Sequence, residues 1–124
     1  MSEHDEHYQR VERAIHKHIA AFNAQDLPRL LAGLAEDAVW QTGQDTFRGR
    51  AELAALFRGA FRAIAPRLTI RSLLIDQDKA ACEMVEHMTV GSDTRQDFIA
   101  GFYRVDADGV ITTAKIYRQG SADV

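Results

Sequence analysis

Apolar positions fall into two regimes along the chain, and the period changes near Pro66. Before it, Tyr8, Val11, Ile15, Ile19 and Phe22 recur every three or four residues, with Gln9, Arg10, Glu12, Arg13 and Lys17 between them. That is the stripe of an amphipathic helix. Asn23-Ala24-Gln25-Asp26 interrupts it. Asp26 suits an N-cap and Pro28 a first turn, so a second helix is predicted over residues 27–34, offering Leu27, Leu30, Leu31 and Leu34 to a core. A third is predicted over residues 50–64, with Leu53, Phe57, Phe61 and Ile64 as its stripe and Pro66 as its stop. Between these two helices, Ala38, Trp40 and Thr42 alternate with Val39 and Gln41, the two-residue period of a short strand. Gly43 then opens a polar turn that returns to a helix start at Phe47-Arg48-Gly49.

After Pro66 the period is two. Strands are predicted over residues 68–75, 80–90, 95–105 and 110–118, joined by Asp76-Gln77-Asp78, Gly91-Ser92-Asp93 and Asp106-Ala107-Asp108-Gly109. Such short connections make hairpins, so the sheet should be antiparallel and meandering. Helices first and a hairpin sheet after is the α+β pattern. Residues 1–7 and 120–124 read as polar tails, and the 124 residues are enough for one domain.

Composition narrows the partners. The net charge is −3 and the basic residues are scattered, which gives no nucleic-acid footprint. No apolar run approaches the ~20 residues of a membrane span, and the acidic start is unlike a secretory signal. Cys82, the 1 cysteine, excludes an internal disulfide and fits a reducing cytoplasm. No cluster of His, Cys, Asp or Glu has metal-ligand spacing, so neither metal nor cofactor is expected. Small molecules or a second copy of the chain are the expected partners.

Two polar residues interrupt apolar stripes. On the strand over residues 80–90, Cys82, Met84, Glu86, Met88 and Val90 share a face, and Glu86 alone on it is charged. A carboxylate among methionines loses water, which raises its pKa and suits it to proton transfer. The plainer reading is a Glu paired with an Arg or reaching solvent at the sheet edge. His18 falls three residues after Ile15 and four before Phe22, inside the first helix's stripe. It is either a core histidine satisfied by a backbone carbonyl or, facing the same cavity as Glu86, a partner in acid–base work near neutral pH.

Four stretches point to a family: Phe22-Asn23-Ala24-Gln25-Asp26, Glu36-Asp37-Ala38-Val39-Trp40, Phe47-Arg48-Gly49-Arg50 leading into a helix, and Asp108-Gly109-Val110-Ile111 opening a last strand that ends near Tyr117. Over residues 8–119 the chain resembles the nuclear transport factor 2-like superfamily, specifically its SnoaL-like and ketosteroid-isomerase-like small proteins. The resemblance implies a single domain with three helices in the concave face of a strongly curved, mostly antiparallel sheet, a cone with a deep apolar pocket. It also implies a homodimer through the outer sheet face. Function is less defined, since the superfamily includes isomerases, cyclases, epoxide hydrolases, dehydratases and non-catalytic proteins. The ketosteroid isomerase base, phenol and protonated acid fall at Thr42, His18 and Gly101, so none is kept. No inward Asp-Arg-Asp set of the limonene epoxide hydrolase type is visible. A SnoaL-type cyclase needs a shaped apolar pocket and one acid/base, which Glu86 with His18 would supply.

The remaining pocket candidates combine alternation with that resemblance. Trp40 and Thr42 should face inward from the first strand, and Met84 and Met88 should flank Glu86. Ile99, Gly101 and Tyr103 alternate with Phe98, Ala100 and Phe102; parity does not choose between these faces, and the resemblance puts Tyr103 inward. Thr112, Ala114, Ile116 and Arg118 share a face, which puts Arg118 at the pocket mouth, in solvent, or against Glu86. Two functions are compatible with this set: a cofactor-independent isomerase, cyclase or dehydratase acting on an apolar carbonyl metabolite, or a non-catalytic ligand-binding or dimerisation module.

Overall fold

A computed structural model describes residues 3–119. Helix α1 runs Glu3–Asn23, α2 Leu27–Ala32 and α3 Gly49–Ile64, with strands β1 Leu34–Thr42, β2 Asp45–Arg48, β3 Arg67–Asp76, β4 Lys79–Val90, β5 Asp93–Val105 and β6 Ile111–Arg118. The α+β class holds, and the predicted strands after Pro66 each lie within two residues of an observed one. The tail predicted over residues 1–7 is helical from Glu3, while the tail over residues 120–124 lies outside the described residues. Tyr8 is exposed, so the buried stripe of α1 starts at Val11. α2 stops at Ala32 rather than at residue 34 because Gly33 closes it, its N–H lying 3.3 Å from the carbonyls of both Arg29 and Leu30. Leu34 is then already the first residue of β1.

The sheet order is β2-β1-β6-β5-β4-β3, with β2 and β3 as free edges, so it curves without closing. Neighbours are antiparallel except β1 and β6, which pair parallel and join the chain's first strand to its last. Register shifts at Ile70/Ser72 in β3 and Arg104/Val105 in β5 add local twist of the kind that bends a sheet. β2 forms where the sequence pattern predicts a polar turn. Gly43, at φ 60°, supports a two-residue reversal, and Thr42 pairs with Asp45 immediately after it.

The helices cover the concave face, α1 over β3 and β4, α3 over β1 and β2. One polar contact fixes how α1 enters this arrangement. The Asn23 side-chain amide donates to the Leu68 carbonyl at 2.9 Å and accepts from the Leu68 N–H at 2.7 Å. It thus acts as one residue of a missing strand, at the start of β3. Val11, Ile15, Leu30, Leu34, Leu53, Met84 and Ile111 pack beneath as fully buried core.

Candidate functional site

Between α1, α3 and the inner sheet face lies a cavity of about 100 Å³. Its floor is aromatic. His18 projects from α1 to within 5.3 Å of the Trp40 ring centre, 5.9 Å of Tyr103 and 6.5 Å of Phe57. Trp40 in turn meets Phe57 edge-on at 5.4 Å and Tyr103 at 6.0 Å. Perpendicular ring contacts at these separations are the favourable arrangement of aromatic quadrupoles.

Strand alternation delivers Tyr103 to this floor, and Gly101 lets it lie down. A Cβ at position 101 would fall 2.5 Å from the Tyr103 hydroxyl oxygen and 2.6 Å from Cζ. The ring therefore folds back across the bare backbone two residues earlier. Only a glycine leaves that surface open.

Burial sets the protonation of the floor. It lowers the His18 pKa from 6.5 to about 4, so the imidazole is neutral at neutral pH. Its Nδ1 is buried and has no hydrogen-bond partner among the described residues. Burial, with the neighbouring Cys82 sulfur, raises Tyr103 above the ordinary phenol value, and burial lifts Cys82 itself to about 11. The floor thus offers a neutral imidazole and a neutral phenol. His18, expected to share proton transfer near neutral pH, is neutral there and keeps an unpartnered hydrogen-bonding nitrogen.

The mouth is ionic. Arg118, at the end of β6, donates through Nη1 to Glu86 Oε1 at 2.6 Å and to Asp97 Oδ2 at 2.9 Å. Burial alone would lower the Arg118 pKa; the hydrogen bonds and charges of Glu86 and Asp97 outweigh it and raise it. Glu86 is 6% exposed, yet it is not the lone carboxylate among methionines that alternation suggested. The plainer reading, a Glu paired with an Arg, is what the structure shows.

Of the residues singled out from the sequence, His18, Trp40, Thr42, Met84, Glu86, Tyr103 and Arg118 line this one cavity. Met88 does not. It is buried one turn of the pleat further on and lines a separate groove with Ala65, Arg67 and His87. Ile99 and Tyr103 are buried while Phe98 and Phe102 are exposed, which settles the face of β5. Asp97 was missed, although it shares parity with Ile99, Gly101 and Tyr103 and stands opposite Glu86 in the β4–β5 register. With it, the chain assembles an inward carboxylate–guanidinium–carboxylate set from three strands, which residue spacing along the chain had not shown. Among the described residues no group of His, Cys, Asp and Glu is arranged to hold a metal ion, and no helix is long and apolar enough to cross a membrane.

Residues 15–114 match the model of the SnoaL-like domain. The chain belongs to that family. Among solved structures it is similar to a Mycobacterium tuberculosis LEH-like epoxide hydrolase, at 24% identity and TM-score 0.82 over 92% of this chain and 85% of that one. It is also similar to RV0760c of Mycobacterium tuberculosis in complex with estradiol-17beta-hemisuccinate, at 20% identity and TM-score 0.80 over 92% and 95%. A third is a ketosteroid isomerase-like protein from Catenulispora acidiphila in complex with trimethylamine, at 18% identity and TM-score 0.77 over 84% and 83%. Likeness at these identities shows a shared nuclear transport factor 2-like fold. No curated protein matches the chain.

Proposed function

We propose that this SnoaL-like protein binds a small apolar carbonyl compound in the His18–Glu86 cavity and acts on it by cofactor-independent acid–base chemistry. The observation that carries the reading is the unpartnered His18 Nδ1 in an aromatic cavity whose mouth holds the Glu86 carboxylate. Buried polar atoms normally have partners, and a ligand oxygen or hydroxyl would supply one. Solved proteins of the same fold hold small ligands, estradiol-17beta-hemisuccinate and trimethylamine among them.

In the mechanism, the C–H bond beside the carbonyl breaks, Glu86 takes the proton, and the electron pair moves into the carbonyl oxygen. Tyr103, and His18 in the tautomer that donates, hydrogen-bond the developing oxyanion. Return of the proton at another carbon of an unsaturated ketone gives isomerisation. Attack of the enolate carbon on a second carbonyl of the same molecule, whose oxygen takes the proton from Glu86, gives cyclisation. Departure of a β-hydroxyl with that proton gives dehydration. Thr42, Trp40 and Met84 shape the ligand's apolar surround.

Hydrogen–deuterium exchange at the α-carbon of cyclohexanone, followed by NMR, tests this. The protein should accelerate exchange, and Glu86→Gln should lower that acceleration by about 10²–10⁴-fold while binding persists. Binding without acceleration by the unaltered protein would leave a non-catalytic ligand-binding module. A second reading rests on the Glu86–Arg118–Asp97 set, which suits activation of a water for addition to a strained C–O bond. Incorporation of ¹⁸O from labelled water into a diol product would favour it.

Two further properties belong to the same proposal. Exposed Leu74, Phe98, Phe102 and Tyr117 on the outer sheet face support a homodimer through that face. Phe102→Glu should then shift the sedimentation of a dimer to that of a monomer. A free, buried Cys82 fits residence in a reducing cytoplasm.

A further inference from the structure

Arginine at the mouth of an apolar pocket usually announces a ligand carboxylate or phosphate, because its planar fork matches those groups. Here Nη1 of Arg118 is already engaged by two carboxylates. It is shared by Glu86 on β4 at 2.6 Å and Asp97 on β5 at 2.9 Å. Two carboxylates and one guanidinium leave the mouth with a net charge of −1. No Lys and no other Arg lines the cavity behind it. His18, the other basic side chain there, is neutral for want of solvation.

We propose that the Glu86–Arg118–Asp97 cluster is a charge filter, which makes the cavity select uncharged ligands and refuse anionic ones. This rests on the reading of the cavity as a ligand site and adds the class of ligand to it. An anion entering would lose its water, meet a mouth already negative, and reach a floor that offers dipoles but no cation. A carbonyl or amide loses far less on the same path, and the Tyr103 hydroxyl can meet its oxygen. Size adds a second limit. At about 100 Å³ the cavity is smaller than the ~150 Å³ that holds benzene in an engineered core, and well below the ~300–1,000 Å³ of most ligand sites. The cavity opens to solvent at its mouth, so a small ring seats only partly inside it, with its polar group directed to floor or mouth.

Benzamide and benzoate are the matched probes, equal in shape and different in charge. Trp40, the 1 tryptophan of the chain, lines the cavity, so its fluorescence reports occupancy of this site. Benzamide should bind with at least about fivefold higher affinity than benzoate, the equivalent of one well-screened charge repulsion. Asp97→Asn brings the mouth to neutrality without touching the cavity lining. It should narrow that gap by about fivefold or more, chiefly by strengthening benzoate binding. Benzoate binding as well as benzamide, or a gap untouched by Asp97→Asn, overturns the filter and leaves the ligand site standing. A Trp40 signal that neither probe moves at millimolar concentration overturns the ligand site and the filter together.

Discussion

The floor and the mouth of the cavity treat polarity in opposite ways. At the floor, His18 and Tyr103 are stripped of water and kept neutral, and the Nδ1 of His18 is left without a partner. At the mouth, charges are present but closed upon one another, with both carboxylates met by Arg118. Unmet hydrogen-bonding capacity thus lies at the floor, and formal charge lies at the mouth and is satisfied. Leaving a buried imidazole nitrogen unpaired costs about 1–3 kcal/mol. The asymmetry fits the proposed ligand site, with stability conceded where a ligand would arrive and retained where solvent does.

Removing the floor should have the largest effect. Trp40 is 4% exposed and touches three aromatic rings, so Trp40→Ala should cost about 3–5 kcal/mol in denaturant unfolding. A loss under about 1 kcal/mol would mean the rings do not form a packed unit.

Protonating the floor comes next. The folded pKa of His18 lies at about 4 against 6.5 unfolded, so between those values the unfolded chain holds more protons. Stability from this group is therefore fully present above pH 6.5 and is lost as pH falls toward 4, by about 3 kcal/mol in all. Comparison of unfolding free energies at the two ends of that window checks it, with His18→Gln as the control that should flatten the slope. An unchanged slope in that variant would place the titration elsewhere.

A methyl group at the floor is a smaller disturbance. Gly101→Ala should cost about 1–3 kcal/mol, since the Tyr103 ring must move. Combined with Tyr103→Leu, the loss should be less than the two single losses added, and strict additivity would mean the ring does not lie where the Cβ would go. Breaking the mouth should matter least. Arg118→Met leaves two carboxylates facing each other, but the Arg118 side chain is 41% exposed, so solvent limits the cost to about 1–2 kcal/mol. That cost should shrink with added salt; a salt-independent loss would make the contact one of packing.

What the sequence disclosed follows from which physical signals are local. Helical and strand periods are written in neighbouring residues, so α1, α3 and the strands after Pro66 were legible, and His18 and Glu86 stood out as polar breaks in apolar stripes. Pairing between distant segments is not local. The parallel β1–β6 contact, and the β4–β5 register that sets Glu86 against Asp97, could not be read from spacing. β2 escaped because only its Phe47 is partly buried and an edge strand of exposed residues shows no period. Met88 shows a different limit: parity gives the face of a strand but not the depth along it, and its inward side chain lies beyond the cavity.

The Tyr103 ring lying over Gly101 has an evolutionary consequence. While the backbone keeps this path, a lineage can carry a side chain at the first position or a tyrosine at the second, but not both at once. Exchange of one arrangement for the other must pass through a sequence that is either crowded or hollow. The pair is therefore expected to covary, glycine with tyrosine and a larger residue with a smaller one, and an alignment of relatives in which the two positions vary independently would contradict that expectation.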